Sequence, residues 1–132
     1  MLNNKRTTKE NINKILEFLP YFESKEMGFY SISKTDLMYP YIYDKSVDDF
    51  EKALYDENIM IVFDWGKWQP EAEKYFNDPS LLGNADLETL RKLLTVHMRK
   101  ERFCCGHLAM MIDSGHILNI LKRLRDISIS EM

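Results

Sequence analysis

Three histidines and two cysteines are the chain's natural ligands for a soft metal ion and its natural nucleophiles. Four of the five fall close together, as Cys104, Cys105, His107 and His116, with His97 just upstream. On a helix, Cys104 and His107 would stand three apart and could share a metal with a third ligand. A structural zinc site needs four such ligands, and the chain has no second Cys-X-X-Cys or histidine pair to complete one. Cys104, His107, Leu108, Met111 and Ile112 also trace one apolar stripe, and a free cysteine packs as a small hydrophobe. Core packing is therefore preferred, with no metal and no cofactor expected. His97 shares the stripe of Leu87, Leu90 and Leu94, which suits the edge of a core. His116 follows Gly115 and reads as a first-turn residue. Convergence of the three imidazoles is allowed by their spacing but not demanded by it.

A second constellation is Asp64-Trp65-Gly66-Lys67-Trp68. Two tryptophans beside an acid could line a small-ligand pocket or form an interface anchor, with Arg102 and His107 as further members. Core and rim packing is the plainer alternative, with Asp64 capping the following turn and Arg102 pairing with a carboxylate of the acidic half, Asp64 being one candidate. A pocket predicts that Trp65, Arg102 and His107 converge on a cavity. Nucleophile elbows, glycine-rich phosphate loops and His-Glu-X-X-His helices are absent from the sequence. No catalytic residue is assigned, and the balance leans away from an enzyme.

Charge is unevenly distributed. Residues 35–90 hold 13 acidic and 4 basic side chains, whereas residues 91–125 hold 8 basic and 2 acidic ones. The basic set, Arg91, Lys92, Arg99, Lys100, Lys122, Arg123 and Arg125, is the natural candidate for nucleic-acid contact. Helix, Ser114-Gly115, helix is also the outline of a DNA-binding motif. Against it, Ile117, Leu118, Ile120, Leu121 and Leu124 make the second helix strongly apolar, and the net charge is −3.

The elements that must position these residues follow from periodicity and punctuation. Thr7 and Glu10 resemble a capping box ahead of Ile12, Ile15, Leu16 and Leu19, and Pro20 predicts a stop or kink near Leu19. Alternating Tyr39, Tyr41 and Tyr43 suit an extended stretch at an edge, given Pro40. A helix is expected from about Ser46, ended by Asn58 in the left-handed conformation. Residues 59–63 read as a buried strand or connector, with a short pairing to residues 29–33 as one option. Pro70 is expected in a first helical turn, Asp78 as the cap of a short turn, and Glu88 with Lys92 as an exposed pair on a long helix. Gly115 separates two final helices. Residues 1–6 and 127–132 are expected to fray.

The length of 132 residues suits one compact domain spanning 1–132. No apolar run is longer than the five residues 59–63, too short to cross a bilayer, and no apolar leader follows the N-terminus. Adjacent cysteines staple nothing distant, which favours a reducing, cytoplasmic setting. Phe63-Asp64-Trp65-X-X-Trp68, Ala85-Asp86-Leu87-X-X-Leu90, Arg102-Phe103-X-X-Gly106-X-Leu108 and Gly115-X-Ile117-X-X-Ile120-Leu121 together resemble the domain-of-unknown-function family numbered 6508. That resemblance implies a small bacterial cytoplasmic protein and supplies no activity, ligand or catalytic residue. The expectation is an all-α or nearly all-α bundle of about six helices with a short two-strand pairing. Its function is unknown, and a non-enzymatic interaction module heads the alternatives. Self-association as a homodimer, through the aromatic region or the last hairpin, belongs to that reading. Nucleic-acid binding and a small-molecule pocket near Asp64, Trp65 and Trp68 follow.

Overall fold

The computed structural model describes residues 6–24 and 28–130. In these residues seven α-helices and one two-stranded antiparallel sheet follow in the order α1 Lys9–Leu16, α2 Leu19–Glu23, β1 Tyr30–Ile32, β2 Tyr41–Tyr43, α3 Lys45–Asp56, α4 Trp65–Asn77, α5 Leu87–Glu101, α6 His107–Asp113 and α7 His116–Ser130. A 3-10 turn, Pro79–Asn84, joins α4 to α5. The mostly helical expectation is met, with one helix more than the count anticipated.

The N-terminal cap sits one residue later than its sequence signature suggests. Thr8 caps α1, its Oγ1 accepting from the Asn11 amide at 3.2 Å while Asn11 Oδ1 accepts from the Thr8 amide at 3.0 Å. Thr7 is instead drawn inward, where its hydroxyl donates to the Asn58 carbonyl at 2.8 Å. α1 stops at Leu16 and the helix breaks at residues 17–18 before α2 begins at Leu19, as Pro20 predicts. Pro20 itself occupies the second position of α2, where no intrahelical donor is lost. Phe18, Phe22, Phe29 and Phe50 then interlock, with Phe50 edge-on to Phe22 at 4.9 Å.

β1 pairs with β2, Tyr30 opposite Tyr43 and Ile32 opposite Tyr41. The expected partner, residues 59–63, is not a strand. Its polar backbone is satisfied by side chains of α5: Arg91 Nε donates to the Ile59 carbonyl at 3.1 Å, Arg91 Nη2 donates to the Asn58 carbonyl at 3.2 Å, and the Ile61 amide donates to Thr95 Oγ1 at 3.2 Å. With Ile59, Met60 and Ile61 all buried, the segment is an extended connector nailed to a helix. Asn58, at φ 62°, makes the turn into it as its residue type predicts.

α3 starts at Lys45, a residue before the expected Ser46, because Asp44 caps it through the Ser46 amide. α4 starts earlier than Pro70 suggests. Asp64 caps it through the Lys67 amide at 3.3 Å, so Pro70 falls inside the helix. Asp64 caps the turn that follows it, as expected, and the helix begun there runs on through Pro70. Asp78 caps the 3-10 turn as expected. Glu88 pairs with Arg91 at 3.1 Å rather than with Lys92, whose ammonium lies 5.8 Å above the Phe63 and Trp68 rings.

α7 is the hub. Ile117, Ile120, Leu121 and Leu124 are fully buried against α1, α2, α5, α6 and the 3-10 turn, each contributing on the order of 2 kcal/mol of burial. Its last turns are not frayed: Ile127 and Ser128 are buried, and Ser128 Oγ reaches Asn13 Oδ1 at 3.1 Å. Residues 1–5 and 131–132, for which fraying was also expected, lie outside the described residues.

Candidate functional site

Two glycines aim the histidines. Gly106 (φ 95°) turns the chain into α6 and Gly115 (φ 82°) turns it into α7, so His107 and His116 each become the first residue of a helix. Gly106 is doubly constrained, since a Cβ there would lie 2.5 Å from the Tyr41 ring. The Glu101 carboxylate fixes this turn, accepting from the Leu108 amide at 2.7 Å, the Gly106 amide at 3.1 Å and the Tyr43 hydroxyl at 2.7 Å. His97 rises from α5 between the two helix starts.

The three imidazoles form one hydrogen-bonded chain. His97 Nδ1 lies 3.0 Å from His107 Nε2, and His97 Nε2 lies 3.1 Å from His116 Nε2. All three residues are buried, His97 at 3% exposure. Phe76 stands edge-on to His116 at 5.6 Å. Burial pushes the His97 imidazole well below its ordinary pKa, helped by its two neighbours and by Lys100. Burial likewise lowers His107, with Lys100 and His116 adding to it, and lowers His116, each to about 4. The chain is neutral at pH 7.

Because His97 offers opposite nitrogens to its two partners, the trio is a relay and not a claw: one ion cannot be gripped by all three rings so arranged. No group of three His, Cys, Asp or Glu side chains with metal-holding geometry occurs among the described residues. Cys104 is exposed and Cys105 half-exposed in the turn before α6, so Cys104 leaves the apolar stripe on which its spacing placed it. His107, Leu108, Met111 and Ile112 keep to it.

One end of the chain opens into a cleft of about 250 Å³ between α4, α5 and α6. Ala72, Phe76, Val96, Met110 and Met111 make its apolar wall, while Gln69, Glu73, Asn77, Lys100, His97 and His107 supply polar groups.

The other sequence candidates divide between separate places. Trp65 and Arg102 share a groove of about 320 Å³ with Ile61, Val62, Phe63, Arg99 and Phe103. There Trp65 stacks on Phe103 at 5.9 Å, and Phe103 is 77% exposed. Arg102 donates to the Tyr55 hydroxyl at 3.3 Å, while Asp64, its candidate partner, lies 3.8 Å from Lys67. Trp68 stacks on Tyr75. His107 belongs to the other cleft, so Trp65, Arg102 and His107 do not converge.

Of the basic candidates, Arg91 (4% exposed) and Arg123, whose Nε donates to the Ala85 carbonyl at 2.8 Å, are engaged inside the fold. Arg99 lies over the Tyr55 ring, Lys100 lines the histidine cleft, Arg125 lies 3.9 Å from Asp126, and Lys122 is half-buried on α7. α7, the supposed recognition helix, buries the face that carries His116. The convergence of the histidines, which their spacing allows without demanding, is the functional feature that the sequence leaves open. Its signal was present: the chain's only three histidines recur at intervals of ten and nine, two of them directly after glycines.

Fold and site together define a small, mostly α-helical domain built around a buried imidazole chain. Residues 7–130 match a family of unknown function, DUF6508, and the chain belongs to that family. No curated protein and no solved structure matches it. Among the described residues, no helix is long and apolar enough to cross a membrane.

Proposed function

We propose that this protein is a small-molecule-binding domain, with the α4–α5–α6 cleft as its pocket. One observation carries the reading: a chain of three neutral imidazoles ends in a cleft lined by both apolar side chains and polar groups. Concave sites with an apolar wall and a few convergent polar groups are where ligands bind, and perturbed histidines cluster at such sites. Two unpaired thiols fit a reducing, cytoplasmic setting. A fragment screen read by NMR tests the proposal. Binders are expected to shift His107 and Lys100 signals, and Met110→Trp, at a partly exposed position on the cleft, should block them. Fragments that leave the cleft signals unmoved would overturn it.

A second reading, an interaction module, rests on the Trp65–Phe103 stack. A half-buried Trp65 stacked on the exposed Phe103, in a groove shared with Arg99 and Arg102, has the composition of an interface anchor. The matching occupant is an acidic, aromatic-bearing segment of a partner protein. Light scattering with and without an acidic Trp-containing peptide tests it; self-association without peptide would instead favour a second copy of this chain.

A further inference from the structure

The imidazole chain has a shortage that can be counted. Three neutral rings carry three N–H groups, and each of the two N···N contacts uses one. One terminal Nδ1 is therefore a donor and the other a bare acceptor. Neither terminal Nδ1 has a protein partner among the described residues, and no buried side-chain polar atom there lacks one. Both chain ends are accordingly open to water. A proton added at the bare end shifts along both contacts and turns both terminal nitrogens into donors, with no other bond made or broken.

The charge around the chain is also one-sided. The charges that bear on the imidazoles are those of Lys100 on α5 and of one another. The carboxylates in the vicinity are differently placed. Glu101 is held by Tyr43 and two backbone amides, Asp113 at the far end of α6 accepts from the Tyr30 hydroxyl at 2.6 Å, and Glu73 lines the α4 side of the cleft. An anion at the His107 end would supply the missing counter-charge, favouring the charged form of the chain.

We infer that the cleft takes up a small carboxylate together with one proton, the proton lodging on the His107–His97–His116 chain and the carboxylate facing His107 and Lys100. This rests on the cleft being a ligand pocket and names the ligand's class. The apolar wall of Ala72, Val96 and Met111 accepts the hydrocarbon part, and the modest volume restricts it to a short chain or a single ring.

Calorimetry with hexanoate and with benzoate, in phosphate and in Tris at pH 7, tests the inference. The expected result is uptake of close to one proton per carboxylate bound. Affinity should rise by roughly tenfold per pH unit as pH falls from 7.5 to 5.5. Histidine 15N signals should move to the imidazolium pattern on binding. Lys100→Met, a partly exposed position, should weaken binding about tenfold with the fold intact. Binding without proton uptake would overturn the inference and leave the pocket standing. Neutral fragments bound at His107 with neither carboxylate binding would do the same. Carboxylates that shift only Trp65 and Phe103 signals would place the anion site in the other groove and sink the inference.

Discussion

Arg91 and His97 stand six residues apart on the same helix, both under 5% exposed, and they solve burial in opposite ways. Arg91 keeps its charge. Its guanidinium is surrounded by oxygen acceptors, the carbonyls of Asn58 and Ile59 and the Glu88 carboxylate, so burial lowers its pKa without discharging it. His97 gives up its charge, because its partners are two more imidazoles. A buried cation among fixed acceptors has one state and acts as a fastening. A buried base among other bases has several protonation arrangements of similar energy and can change among them. The same helix thus carries a rigid joint near its N-terminal end and a switchable element further along.

Acid should separate the two most clearly. The unfolded imidazoles titrate near 6.5, whereas His107 and His116 in the fold titrate near 4 and burial holds His97 well below 6.5. As pH falls through 6.5 the unfolded chain gains protons that the folded chain refuses, so stability declines from there toward pH 4. The loss is about 2 kcal/mol at pH 5 for each imidazole that stays neutral. Urea unfolding at pH 7 and pH 5 measures it. A variant with His97, His107 and His116 all replaced by leucine should lose this part of the decline; an identical decline in both proteins would break the comparison.

Arg91→Met should be the most damaging single change at neutral pH, at about 3 kcal/mol, since it leaves the Asn58 and Ile59 carbonyls short of donors in a buried connector. Its pH dependence should match the wild type. His97→Leu should cost about 2 kcal/mol by stranding two imidazole nitrogens. The triple leucine variant should cost less than the single one, because removing every member of a buried polar set leaves nothing unpaired. Gly115→Ala, at φ 82° with open space around the new methyl, should cost about 1 kcal/mol. It should also weaken the His97–His116 contact, read as a changed His116 15N shift, while Arg91 stays unperturbed.

Most of the helices were legible because local chemistry fixes their ends: Asp64, Asp78, Asn58 and Gly115 each behave as their residue type dictates. The strand pairing was not. Residues 59–63 look like a strand because they are apolar and partly β-branched. Whether a strand forms depends on what its backbone groups bond to, and here Arg91 donates to the Ile59 carbonyl while Thr95 accepts from the Ile61 amide, both from α5. Thr7 failed as a cap for a similar reason, being captured by Asn58 fifty-one residues away. In the site, the periodicity that put His97 on an apolar stripe was sound, since it is buried there. That stripe carried no sign that the neighbouring helices would each present a histidine at the same depth, because such a meeting is decided by how α6 and α7 pack on α5.

Glu101 closes α5, holds the start of α6 and grips Tyr43 of the hairpin with one carboxylate. The hairpin and the helix that bears His107 therefore meet at this carboxylate, besides the Tyr30–Asp113 bond and the Ala109 amide's bond to the Tyr43 hydroxyl. If the hairpin lifts away, the amide of Leu108 loses the setting of its acceptor at the same moment. Hydrogen exchange at that one amide would thus keep time with an opening motion begun at the exposed Leu37 or Met38 between the two strands.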